Sequence, residues 1–219
     1  MNQEQWAQEQ LITIRSLMER ASLYRAISSP TALFAGALTL VGSYLFNHGF
    51  SSLIPESPLS FYLFWFCLFL VISVFNIIYL GCENRRLGTP LLSRGMRSAV
   101  TDFLPSMLTG GILSFLAAYE GFEPMTMVFL WCVFYGLALL STRNYAPRSL
   151  LILGWSFLLV GMILACLISF GLFNNPQSTR SGNLLMVLSF GLLHITYGAS
   201  TWLTNRREVA LRNAPIIEM

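Results

Sequence analysis

The chain has 219 residues, of which 55% are hydrophobic and 11% charged, and its mean hydropathy is +0.62. A water-soluble domain carries about 25% charged residues, so this composition leaves too little polar surface for a soluble core and points to lipid as the solvent. The formal charge of +3 is small and scattered, which argues against a nucleic-acid binder.

Residues 3–28 place Leu11, Ile14, Leu17, Met18, Ala21 and Tyr24 at spacings of three and four, with Glu9, Arg15, Arg20 and Arg25 largely elsewhere on the wheel. The pattern predicts an amphipathic helix on the inner membrane face or against the bundle. It makes 1–29 a cytoplasmic interfacial segment, readable as an anchor or as a docking helix for a partner. This stretch holds Glu4, Glu9 and Glu19, and no small-residue cleavage pattern follows the first apolar run, so no cleavable leader is expected. Ser28-Ser29-Pro30 provides a break and a helix start.

Six apolar stretches follow, near 30–50, 58–80, 102–119, 124–142, 148–172 and 182–204. Each is close to the roughly 20 residues needed to cross about 30 Å of hydrocarbon. None alternates with period two, so helices rather than barrel strands are expected. Pro55 and Pro58 bracket the second start, Pro90 and Pro105 the third, Pro124 and Pro147 open the fourth and fifth, and Asn174-Asn175-Pro176 closes the fifth. The expected fold is all-α: a polytopic membrane helical bundle of six transmembrane helices over 30–204, an N-terminal amphipathic helix, and a cytoplasmic tail at 205–219. The longest connection is the loop 81–101, a second candidate surface for a membrane or cytoplasmic partner.

All thirteen basic residues are arginine. Twelve of them fall before the first stretch, between the second and third, between the fourth and fifth, or after the sixth; Arg180 alone lies on the other side. The positive-inside rule then places both termini on the cytoplasmic side of the cell's inner (plasma) membrane. The far side carries Glu56, Glu120 and Glu123 and is mildly acidic. Even-numbered helices end in arginine, and Tyr135-Gly136 with Thr142 matches Tyr197-Gly198 with Thr204, a faint sign of three related hairpins.

His194 is the most informative position. It sits about twelve residues, or about 18 Å, into the sixth stretch and near mid-membrane. Gly191, His194, Gly198 and Thr201 recur at spacings of three, four and three, so that face is expected to meet another helix. An intramembrane ionisable group is a functional candidate, and a neutral histidine bonding across helices is the plainer reading. Tyr197 and Asn76 are further candidates for interhelical polar contact or for a solute path, Asn76 being expected to bond a neighbouring helix. Asp102 is read as opening the third helix, where a carboxylate suits the dipole. His48 lies near the outer end of the first helix, too far in depth from His194 to share one haem iron. Cys67, Cys132 and Cys166 share a depth of about 9–13 Å, so a common thiol site requires their helices to face one another. Cys82 completes four cysteines without CxxC or zinc spacing. No phosphate-loop, dinucleotide-binding, HExxH or GxSxG pattern is present, and no paired intramembrane carboxylates. No catalytic residue, metal site or cofactor is assigned.

Three stretches carry a resemblance: Ile14-Arg15-Ser16-Leu17-Met18-Glu19-Arg20; Tyr135-Gly136-Leu137-Ala138 continuing to Leu153-Gly154-Trp155-Ser156-Phe157; and Ser189-Phe190-Gly191-Leu192-Leu193-His194-Ile195 with Tyr197-Gly198 and a terminal arginine pair. In these the chain resembles an uncharacterised group of small bacterial integral membrane proteins of about six helices, which implies a bacterial inner membrane. Ser189 stands where that group has glycine, and the closing segment lacks its glycine pair. The resemblance implies the architecture and attention to His194, and no activity. The expected function is a non-enzymatic regulatory, sensory or assembly role through partners. A transporter or channel for a small solute is the alternative, and a membrane-embedded redox or cofactor-binding protein the second alternative.

Overall fold

Apolar runs of this length leave the backbone no hydrogen-bond partner but itself, and helix is the economical answer. The computed structural model describes residues 5–6, 8–11, 29–49, 56–86, 88, 94–144, 146–171 and 179–212. Among them there is no strand. Helix α1 (Ser29–Tyr44) runs into a π turn (Leu45–Gly49); α2 is Pro58–Arg86, α3 Arg94–Tyr119, α4 Pro124–Ser141 and α5 Arg148–Ser169. Helix α6 (Thr179–Met186), a second π turn (Val187–Gly191) and α7 (Leu192–Arg212) are consecutive and form the last rod. The result is six rods, each with a helical stretch long and apolar enough to cross a membrane.

Each rod packs on the next and the sixth closes on the first, while rod 4 also touches rods 2 and 6. Rods 1 and 4 are the most enclosed, and rod 2 shows nearly all of its length to the outside. Glycines let backbone meet backbone in two of the seams. A Cβ on Gly136 of α4 would lie 2.8 Å from both the Gly154 carbonyl oxygen and the Leu158 nitrogen of α5. One on Gly198 of α7 would lie 3.0 Å from the Ser29 carbonyl oxygen and the Leu33 nitrogen of α1. Backbones can approach this closely only where no side chain intervenes.

Several boundaries differ from expectation. Rod 2 continues six residues past 80, and rod 3 begins at Arg94 rather than 102, so the expected loop 81–101 is helical over 81–86 and 94–101. Asp102 therefore lies inside α3 instead of opening it, and Pro105 sits within the helix. The carbonyl of Asp102, three residues before that proline, accepts a hydrogen bond from Ser141 Oγ of α4 at 2.8 Å. The acceptor that Pro105 itself frees is the Thr101 carbonyl, one residue earlier, so the Ser141 bond fastens α4 to this turn of α3 beside it. Rod 5 stops at Ser169, and rod 6 runs from Thr179 to Arg212, so 205–212 of the expected tail are helix. Hydropathy marks where apolar side chains end, whereas the helical ladder continues as long as its own carbonyls and amides pair.

The turn from α3 to α4 follows local chemistry. Gly121 takes φ +80°, the Gly121 amide bonds the Ala118 carbonyl, and the Phe122 amide reaches the Ala117 carbonyl at 2.8 Å. This is the glycine-terminated helix end that L side chains rarely permit. Pro124 then opens α4 where its missing donor is not needed. Of the expected amphipathic segment, residues 5–6 and 8–11 are helical and exposed, and the rest lies outside the described residues, as does Asn174-Asn175-Pro176.

Candidate functional site

Helix α4 presents Cys132 and Tyr135 one turn apart toward the middle of rod 6. The Tyr135 hydroxyl lies 3.1 Å from His194 Nε2, and His194 Nδ1 lies 2.8 Å from the Phe190 carbonyl oxygen. A carbonyl can only accept, so Nδ1 carries a proton and donates it to Phe190; Nε2 is left to accept from the tyrosine. His194 is buried. Its ring is enclosed by Tyr135 (5.6 Å between centroids), Phe157 of α5 (5.4 Å) and Phe190 (6.1 Å). Tyr135 and Phe157 meet edge to face at 4.8 Å, and Phe103 of α3 closes the group at 6.3 Å from Tyr135. Such ring pairs contribute roughly 0.5–1.5 kcal/mol each beyond their burial. The cluster thus joins rods 3, 4, 5 and 6 around one hydrogen-bonded imidazole.

The face read from the sequence as one surface divides. Gly191, Gly198 and Thr201 turn toward α1, where Thr201 accepts from Ser29 Oγ at 2.9 Å, while His194 turns to α4 and α5. Tyr197 is buried one turn from His194 on the same helix. Asn76 is not brought into this group by any hydrogen bond. Its side-chain oxygen is buried and has no partner among the described residues, contrary to the expected interhelical bond. The residue as a whole is half-buried, its oxygen is covered by neighbouring atoms, and none of these is a donor within hydrogen-bond distance among the described residues. An unsatisfied buried amide oxygen costs about 1–3 kcal/mol. Asn76→Leu should therefore raise thermal stability in detergent, by about 1–2 kcal/mol; a fall in the melting temperature would contradict the unpaired state.

A second polar group escaped the sequence reading. Asn183 of α6 is fully buried, accepts from Trp65 Nε1 of α2 at 3.0 Å and donates to Asn47 Oδ1 of the first π turn at 2.9 Å. It ties rods 1, 2 and 6 together at the end opposite the arginine-rich connections. A lone asparagine at the start of an apolar run was the only signal in the chain, and position alone makes it look like a boundary residue. Asn183→Leu removes both bonds and strands a buried indole N–H, so a loss of about 2–4 kcal/mol is expected, with a changed Trp65 emission as the local readout.

The remaining candidates are dispersed. His48 is exposed with its ring 5.0 Å from Tyr44, away from the His194 cluster. Cys67 and Cys166 are exposed, whereas Cys132 is buried. Among the described residues no three His, Cys, Asp or Glu side chains converge on a common ion position. Glu120 is exposed, and Glu123 precedes α4 without a side-chain cap bond. In chemical terms the His194 group is one phenol and one imidazole sharing a proton, seated among aromatic rings and facing a carbonyl. Comparison with protein families, curated proteins and solved structures returns no match.

Proposed function

We propose that this is a multi-pass membrane protein with both termini on the cytoplasmic side, working as a regulatory, sensory or assembly component through partner proteins. The observation that carries the reading is the projection of helix beyond the apolar windows at the arginine-bearing end. Rod 2 has 29 residues, which at about 1.5 Å each is about 43 Å, well over the roughly 30 Å of hydrocarbon. Its last turns carry Glu83, Arg85 and Arg86, and α7 carries Arg206 and Arg207. The Arg206 guanidinium lies 4.0 Å over the Trp202 ring, a pairing suited to the headgroup boundary. Charged helical ends held on a bundle offer a firm surface to a partner. Within the bundle, meanwhile, Asn183 is paired with Trp65 and Asn47, His194 with Tyr135 and the Phe190 carbonyl, and Ser29 with Thr201.

The test combines topology and partnership. Reporter fusions at both ends should report the cytoplasm, and crosslinking in cells followed by mild-detergent purification should recover a defined complex. Arg206→Glu with Arg207→Glu should abolish that complex while the bundle still melts cooperatively. A chain that stays alone after crosslinking argues against the reading. Transport of a small solute is favoured by one observation, the Asn76 oxygen left without a partner among the described residues, which a polar solute or water could bond. Uptake into proteoliposomes that is lost in Asn76→Leu would move the assignment there.

A further inference from the structure

The second π turn is built into rod 6 by more than its own backbone. The Leu192 amide reaches five residues back to the Val187 carbonyl, which defines the wide turn. Inside it, Ser189 Oγ bonds the Leu185 carbonyl at 2.6 Å, and one step beyond it His194 Nδ1 bonds the Phe190 carbonyl. From α4, Tyr135 bonds His194 three residues past the turn, and one helical turn earlier Cys132 lies buried beside Ser189 at the turn's centre. On the opposite side α1 abuts the turn, a Cβ on Gly36 falling 2.8 Å from the Gly191 carbonyl oxygen. Beyond it, α6 is held by the Asn183 bonds to Trp65 and Asn47.

A π turn carries one residue more than the α-helix needs, and such insertions recur at functional hinges. Relaxing it to α geometry changes the register of everything on one side by one residue. That is a rotation of about 100° and a shift of about 1.5 Å. Packed helices pass between such registers as discrete states rather than by gradual bending. We propose that Val187–Gly191 is a two-state register switch, with the Tyr135 hydroxyl of α4 as its latch. In the structure the latch is closed. In the other state α6 turns about its axis, Asn183 leaves Trp65 and Asn47, and the seam between rods 1, 2 and 6 opens at that end. Such a switch is independent of which function the protein serves.

The direct test is distance measurement between spin labels in lipid nanodiscs. The four native cysteines are replaced by serine, which keeps a donor at 132, and labels go on Leu184→Cys of α6 and Phe122→Cys of the α3–α4 turn, both exposed positions. The parent should give one dominant distance. Tyr135→Phe, which removes only the latch hydroxyl, should add a second distance differing by on the order of 10 Å, the arc a label travels when a helix turns by 100°. A single unchanged distance in Tyr135→Phe overturns the switch. A second measurement needs no change at the latch: in Cys67→Ser/Cys82→Ser/Cys166→Ser protein, Cys132 is the sole thiol. Alkylation by a membrane-permeant maleimide at least 10-fold faster than global unfolding supports the opening; protection up to the unfolding temperature overturns it.

Discussion

Gly136→Ala should destabilise the bundle by about 2–3 kcal/mol, and Gly136→Val should abolish its cooperative melt. The new Cβ would stand 2.8 Å from two backbone atoms of α5, the Gly154 oxygen and the Leu158 nitrogen. Neither can move aside as a side chain would, so rods 4 and 5 must separate along their whole seam. Gly154→Ala meets its neighbours at 3.1–3.3 Å and should cost less. Gly111→Ala is the control: no described atom lies within 4 Å of its Cβ, and the better helix propensity should stabilise by up to about 1 kcal/mol. Thermal melts in one detergent suffice. Equal losses at Gly136 and Gly111 would mean that helix seams do not govern stability.

His194→Ala is the second large effect, a loss of about 3 kcal/mol. The change empties a space bounded by the Tyr135, Phe157 and Phe190 rings and leaves the Tyr135 hydroxyl without its acceptor. His194→Gln offers an amide that can donate to the Phe190 carbonyl and accept from Tyr135, so it should regain more than half of the loss. A positional role predicts that any cellular phenotype returns with stability in the Gln variant. If stability returns and the phenotype does not, the imidazole acts by exchanging protons, and the acid–base reading of the Tyr135–His194 pair gains the argument.

Both expectations rest on positions whose residue types were conspicuous in the chain but whose neighbours were not. His194 stood out by type and spacing, because an apolar run keeps an ionisable group where it can be paired, whereas Gly136 appeared only in the Tyr-Gly pair shared with Tyr197-Gly198 and not as a point of backbone contact. Spacing placed His194 with Gly191, Gly198 and Thr201, and a single helix wheel says no more. Rod 6 is gripped from two sides, by α1 and by α4 with α5, so neighbouring positions on the wheel serve different partners. Asn183 and the π turn carried no comparable signal. Their meaning lies in Trp65 and Asn47, 118 and 136 residues away in the chain, and in Tyr135 of α4.

The six apolar lengths, their separation by prolines and arginines, and the helical class were all decided by the sequence, since hydrophobicity, turn chemistry and backbone pairing are local or nearly local properties. Pro105 shows the limit of local reading, because a proline expected to mark an entrance is carried inside α3, where Ser141 of α4 serves the Asp102 carbonyl three residues before it. Which rods adjoin, which side of rod 6 the imidazole takes, and why the Asn76 oxygen meets no donor among the described residues were decided by the tertiary structure. Between rods the differences in free energy come from close contact, hydrogen-bond geometry and the fit of rings and glycines, and these exist only once distant segments are side by side.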